Sequence, residues 1–382
     1  MSIKQAFRVF RVSLEDRRYR ARARRLGLTY APDAIAERID GEALTRALED
    51  GNLRIFAAVR HHNWEGHNLI PALEKFGEVT HFDWGKEGFA EENRWDATEK
   101  RRMNRLLLER LDTALAAEPM HLFFGYLSGR NVYPETIRAI RERGLVTVNL
   151  ALDDRAKFVS RKKYGYRFGN SEIAQAFDLC CTSTASALPK YLVEGGNPLL
   201  LPEGANPEVY RPVGGGFRHD VSFIGQCYGM RPGVIAELKR RGIEVATFGY
   251  GWPGGPVPVE RMVEIYGESR INLGFGGVGV SDKLVCLKGR DFEIPMSGGL
   301  YLTQHNPELS LVYRVGEEIM TYRTPDELAE RITHLLNHPD EADRIRKAGH
   351  ARALAEHTWE HRMATVLGRA LGFTPESIPR RT

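Results

Sequence analysis

The sequence predicts an α/β protein of two doubly wound domains, preceded by a basic helical extension. Three observations lead there. At 382 residues the chain is long for one hydrophobic core, so two domains are expected. Apolar strand-like runs alternate with amphipathic helical stretches in two separate series, the pattern of parallel sheets covered by helices on both faces. Between the series lies NPEVYRPVGGGFRH at 206–219, whose prolines and glycine triplet read as a connection.

Residues 1–50 form the extension, where Arg8, Arg11, Arg17, Arg18, Arg20, Arg22, Arg24 and Arg25 crowd one short stretch. Interleaved Phe7, Val9, Phe10, Val12 and Leu14 would let it lie on an anionic membrane surface or an acidic partner; a solvated helix packed on the main body is the alternative. The first domain, 51–212, opens with the strand LRIFAAV, a glycine-bearing loop, a helix and the strand EVTHFDW. A helix over 97–117, the run MHLFFGYL, a helix near 134–143, and the strands VTVNLAL, DLCCTST and LLLPEG continue it. In the second domain, 213–357, DVSFIGQ, IEVATFGYG, INLGFGG and GLYLT read as strands, and PGVIAELKRRG, VERMVEIYGESR and GRDFEIPMSG as helices. Thr324, Pro325 and Glu327 mark a further helix start, with a cap, a proline at the first position and a glutamate three residues on.

Composition narrows the function. Lys and Arg number 54 against 50 Asp and Glu, an imbalance too small to argue for a nucleic-acid partner. Cys180, Cys181, Cys227 and Cys286 show neither zinc-site spacing nor the density of a disulfide-stapled domain, which fits a reducing cytoplasm. No apolar run approaches the roughly 18 residues of a membrane span, so the expected location is cytoplasmic, with the basic extension allowing a peripheral place on the inner face of the membrane.

Ligands of open parallel sheets bind outside the carboxyl ends of the strands. Three loops of the second domain qualify. In GQCYGMRPG, Gly225 would let backbone N–H groups face a ligand and Arg231 could pair with a phosphate. GYGWPGG at 249–255 matches G-x-G-x-x-G, but Pro253 interrupts it and no helix opens at its last glycine, so it reads as a turn carrying Trp252. In SDKLVCLKGRDFEIPMSGGLYLT, Lys288 and Arg290 stand at a helix start suited to a diphosphate, and Glu293 one turn on could accept two ribose hydroxyls. Spacing alone leaves open a plain surface pair between Arg290 and Glu293.

KGRDFEIPMSGGLYLTQHNPEL, followed by GEEIMTYRTPDELAERITHLLNHPDEADRIRKAGHARALAEHTWEHR, resembles the spore-maturation-protein CgeB type of glycosyltransferase, strongly over 220–365 and more weakly before. The resemblance implies a GT-B fold, two Rossmann-like domains facing each other across a cleft, and sugar transfer from a nucleotide donor, most commonly a UDP-sugar. It also implies donor-binding roles for Lys288, Arg290 and Glu293, and puts Gly298 and Gly299 in the helix–glycine–strand ending of the donor site. GT-B proteins of the family 4-like group carry two glutamates in an E-x7-E pattern. Glu293 matches the second; no glutamate stands at Val285 or the adjacent Cys286, where the first would fall, which leaves a retaining or inverting outcome open. In many GT-B proteins the last helix crosses back, so residues 358–382 are expected to join the first domain.

The acceptor, a glycan, protein or small molecule, is expected on the first domain. HHNWEGHN offers His62, Asn63, Trp64, Gly66 and His67, while Asp153 and Asp154 end a strand; His62 or either aspartate could take a proton from an acceptor hydroxyl. Solvated histidines and a capping aspartate are the bland alternatives. No metal or cofactor is expected. A nucleotide-sugar epimerase of the same plan and an inactive nucleotide-sugar-binding protein remain rival readings.

Overall fold

The computed structural model describes residues 3–31, 39, 41–89, 95–160, 162–278, 281 and 283–381. Residues 1–2, 32–38 and 40 of the expected 1–50 extension lie outside them. The chain forms two compact units, residues 11–202 with 359–382, and residues 1–10 with 203–358. The division at Pro202 and Glu203 precedes the expected boundary at 212, and the last residues pack with the first sheet.

Helix α1 (Ile3–Arg25), which belongs to the N-terminal unit from Arg11 on, and α2 (Glu42–Glu49) lead into β1 (Arg54–Ala58), α3 (Glu65–Glu74), β2 (Glu78–Phe82), α4 (Ala97–Ala117), β3 (Leu122–Gly125), α5 (Pro134–Arg141), β4 (Val146–Ala151) and the short α6 (Asp154–Lys157). The two-residue strands β5 (Lys162–Lys163) and β6 (Tyr166–Arg167) make a small hairpin that carried no alternation to announce it. Then come β7 (Leu179–Thr182), α7 (Leu188–Val193) and β8 (Pro198–Leu200). The sheet is parallel throughout, in the order β2-β1-β3-β4-β7-β8. Its strands are apolar on both faces because both are covered: Ile55 and Ala57 of β1 enter one core cluster, Phe56 and Ala58 the other.

The C-terminal unit repeats the plan with β9 (His219–Ile224), α8 (Arg231–Arg240), β10 (Ala246–Phe248), α9 (Val259–Glu268), β11 (Ser269–Gly274), α10 (Arg290–Met296), β12 (Tyr301–Gln304), β13 (Met320–Tyr322), α11 (Pro325–Asn337) and α12 (Pro339–Glu356). Its order β10-β9-β11-β12-β13 is again all parallel and reverses direction between β9 and β11. That reversal is where open sheets hold ligands. Strand β13, three residues between a turn and a helix cap, escaped the sequence reading. The start of α11 is as expected: the Thr324 side chain accepts from the Glu327 N–H at 3.1 Å, and the Glu327 carboxylate accepts from the Arg323 N–H at 2.8 Å.

The last helix, α13 (Trp359–Leu371), packs on α3 within the N-terminal unit. It buries Trp359, Met363, Val366, Leu367 and Ala370, and full burial of each larger side chain contributes about 1.5–3 kcal/mol. Trp359 stacks on Trp64 with ring centroids 5.4 Å apart. No described helix is long and apolar enough to cross a membrane.

Candidate functional site

The reversal point of the second sheet gathers the residues that matter. Strand β9 ends at Ile224, and the chain turns through Gly225 toward α8. A Cβ at Gly225 would lie 2.8 Å from the Phe223 ring and 3.5 Å from Nη1 of both Arg231 and Arg290. Only glycine lets the strand end sit between these groups, and two guanidinium groups therefore converge on one point. Arg231 is buried at the start of α8, donates from Nη1 to the Gln226 carbonyl at 2.9 Å and lies over the Tyr228 ring at 4.3 Å. Burial, and then the neighbouring Arg290, lower its pKa to about 10.

Arg290, partly buried at the first position of α10, has an Nε without a hydrogen-bond partner among the described residues. Burial works against its charge, but Tyr266, Tyr301, Glu293 and Asp291 outweigh it and hold the guanidinium above its ordinary pKa. The Tyr266 hydroxyl, buried close by, also finds no partner among the described residues. The helix end itself contributes less than expected. α10 has only seven residues, and the Asp291 carboxylate already accepts from the Lys288 N–H at 2.8 Å and from the Tyr301 hydroxyl at 2.6 Å.

Two further carboxyls meet over Gly289. A Cβ there would fall 2.8 Å from Oε1 of Glu293 and 3.2 Å from Oε2 of Glu203, so glycine is what admits both. Glu293 accepts from the buried Tyr210 hydroxyl at 3.3 Å, and burial raises its pKa to about 6. Glu203 is pushed to about 8, by burial and by its acidic neighbours Glu293 and Asp291, against the pull of Lys288 and Arg290. Sequence reasoning passed over Glu203, reading it as the tail of the strand LLLPEG. Its one signal is an acidic residue between Pro202 and Gly204, just where the compact units divide. Cys286 is buried, and its N–H donates to the Gly276 carbonyl at 3.1 Å.

The remaining donor-side expectations change. Gly298, at φ +71°, ends α10, and a Cβ at Gly299 would strike the Asn272 side chain at 2.8 Å. Both shape the step from helix into β12 at the far end of α10 from Arg290, so they are structural. The Trp252 ring is partly buried and meets Phe223 edge-on at 6.1 Å, so it pins the 249–255 turn to the core.

The acceptor-side residues divide in the same way. Asp154 is buried and accepts from Asn170 at 2.8 Å, Thr182 at 2.8 Å and Tyr191 at 2.9 Å, while burial raises its pKa. That carboxylate ties β7 and α7 to the end of β4 and is withdrawn as a proton acceptor. Asp153 is exposed and pairs with Lys157 at 2.5 Å. In the loop after β1, Oε2 of the buried Glu65 accepts from the N–H groups of His62, Asn63 and Trp64 at 2.9, 3.1 and 3.2 Å. Trp64 is committed to its stack with Trp359, and the Gly66 N–H donates to His61 Nδ1 at 3.0 Å. A Cβ on Gly66 would meet that ring at 2.9 Å, so the glycine makes room for His61 and not for a ligand. The side chains of His62 and Asn63 are exposed, and His67 is half-buried. Among the described residues no cluster of three His, Cys, Asp or Glu could hold a metal ion.

Two parallel sheets of this order define the class, and comparison with known proteins bears it out: the fold is that of GT-B proteins. Residues 231–368 match the family described as glycosyl transferase-like. Sucrose-phosphate synthase from Thermosynechococcus elongatus is similar at a TM-score of 0.55 and 14% identity, over 87% of this chain and 89% of that one. HepE of Anabaena in complex with UDP and glucose reaches 0.55 at 11% identity, over 83% and 100%. A candidate UDP-N-acetylglucosamine 2-epimerase from Listeria monocytogenes reaches 0.52 at 10% identity, over 87% and 99%. No protein of curated function matches in sequence.

Proposed function

We propose that this protein is a cytoplasmic, metal-independent glycosyltransferase of the CgeB-like type. It would move a sugar from a nucleoside diphosphate donor, a UDP-sugar, to a hydroxyl of a glycan, protein or small molecule. The observation that carries the reading is the convergence of Arg231 and Arg290 on Gly225 at the reversal point of the second sheet. Two enclosed guanidinium groups repel one another, and an anion between them relieves that cost. A diphosphate supplies the anion, and the glycosyl transferase-like match begins at Arg231 itself. Four cysteines free of disulfides suit a reducing compartment.

In this reading Arg231, Arg290 and Lys288 stabilise the negative charge that grows on the leaving diphosphate as its bond to the anomeric carbon breaks. Glu293 accepts from the ribose hydroxyls. Glu203, holding a proton near neutral pH, can donate to a sugar oxygen as well as accept from a hydroxyl. The acceptor oxygen forms the new bond to the anomeric carbon, and its proton passes to an exposed group of the N-terminal unit, His62 or Asp153.

The epimerase reading is favoured by the likeness to the Listeria structure, and a nucleotide-binding protein without catalysis would share the same cations. Thermal-shift titration with UDP, GDP and dTDP, followed by incubation with the matching nucleotide-sugar, separates the three. Stabilisation by UDP with release of UDP in the presence of an acceptor supports transfer. Conversion of the donor sugar without UDP release identifies an epimerase, and binding without turnover a non-catalytic protein. Lack of stabilisation by any of the nucleotides overturns the site.

A further inference from the structure

Helix α1 carries nine basic and two acidic side chains, a net of +7, whereas the whole chain sums to +4, so the remaining residues sum to −3. The charge is thus segregated onto one element. The structure also accounts for the two acids. Glu15 and Asp16 pair with the fully buried Lys190 at 2.7 and 2.8 Å, and Asp16 pairs with Arg155 at 2.6 Å. Tyr19 completes the anchor, donating to Glu194 at 2.5 Å and meeting the Phe158 ring edge-on at 6.0 Å. The docked seam, Val12–Asp16–Tyr19–Ala23, repeats at helical spacing and is buried or half-buried.

Docking on that seam leaves the opposite arc without acidic neighbours on its own helix. Arg11, Arg18, Arg22 and Arg25 share one line of that arc, and Arg17 and Arg24 another; all six are exposed. Arg20 is exposed as well. Earlier in the same helix, Phe7 and Phe10 fall on the same two lines and are 67% and 63% exposed. Arginine alone would suit any polyanion. Arginines interleaved with exposed phenylalanines suit an interface that is anionic at its surface and apolar just beneath.

We propose that α1 is the site by which this protein binds an anionic lipid bilayer, with its arginines at the headgroups and Phe7 and Phe10 in the acyl boundary. The ion pairs of Glu15 and Asp16 fix the helix so that this arc faces outward. The slightly acidic remainder of the chain is repelled by the same surface, which orients the protein on it.

Flotation of the full chain with vesicles tests this. It should bind vesicles of 70% phosphatidylcholine and 30% phosphatidylglycerol at low salt, fail to bind phosphatidylcholine alone, and leave the membrane at high salt. The triple variant Arg18→Glu, Arg22→Glu, Arg25→Glu should lose at least roughly a hundredfold in affinity for the anionic vesicles with an unchanged melting curve, because all three side chains are exposed. Phe7→Ser with Phe10→Ser should weaken vesicle binding severalfold while leaving retention on heparin unchanged. Absence of binding to anionic vesicles overturns the proposal. Equal loss of heparin and vesicle binding in the phenylalanine variant, or tighter binding to single-stranded RNA than to vesicles, also overturns it in favour of a general polyanion surface.

Discussion

The loop after β1 and the stretch entering α10 look alike as sequence, since each packs titratable side chains around a glycine at the edge of a helix. They differ in what those side chains have left to do. In 61–66 the carboxylate of Glu65 accepts from three backbone N–H groups, His61 accepts a fourth and Trp64 is stacked on Trp359. Around 288–293 the Arg290 Nε has no partner among the described residues, Arg231 is pressed to a lower pKa by burial and then by Arg290, and the carboxyls of Glu203 and Glu293 over Gly289 are both pushed upward. A dense cluster whose groups satisfy one another is a structural joint. A cluster that folding leaves in electrostatic conflict is a candidate for binding a countercharge.

The comparison can be broken most directly at Arg290. Arg290→Ala should cut donor turnover by more than about a hundredfold and weaken UDP binding by roughly 10- to 100-fold in calorimetry, as the loss of a charged hydrogen bond implies. Its melting temperature should fall modestly as well, because Asp291 and Glu293 lose the cation that offsets their burial, so the calorimetric UDP affinity is the deciding readout. Unchanged UDP affinity would dissolve the distinction between the two regions. The reverse behaviour is expected of Glu65→Ala, which should destabilise the fold by about 1.5–3 kcal/mol in denaturant titration and change UDP affinity less than about twofold.

Glu203→Gln sharpens the contrast through pH. The wild-type carboxyl titrates near 8 in the fold against 4.5 in the unfolded chain, so the native state holds the extra proton between these values. Its stability therefore falls as pH rises through that window. The melting temperature of Glu203→Gln relative to wild type should climb from pH 4.5 to 8 and level off above, and a flat difference would count against the conflict over Gly289. Smallest of all should be Asp153→Asn, within about 0.5 kcal/mol in stability because its ion pair with Lys157 is exposed. A large loss of transfer in this variant with UDP affinity intact would single it out as the proton acceptor over His62.

Much of the fold was legible because helices such as 97–117 and 325–337 carry their own caps and periodicity, and the strands are continuous apolar runs. Strand β13 and the β5–β6 hairpin were not, since two or three residues hold no period and owe their form to neighbours. The cations of the candidate site stood out as a motif, Lys288 and Arg290 at one helix start and Arg231 at another. Asp153 and Asp154 were not separable, because adjacent residues at a strand end face opposite ways: one is exposed, the other bound to Asn170, Thr182 and Tyr191. Glu203 was hidden for a related reason. It reaches Gly289 from 86 positions earlier in the chain, and no local spacing records such a meeting.

The stack of Trp64 on Trp359 sets an order of events during synthesis. The N-terminal unit is written in two instalments, and its second, beginning at Trp359, leaves the ribosome after residues 203–358. Residues 203–358 can thus complete their sheet while the face of α3 that α13 will cover is still bare. Chains truncated before Trp359 would carry that bare face permanently, so residues 359–382 decide whether the first sheet stays out of aggregates.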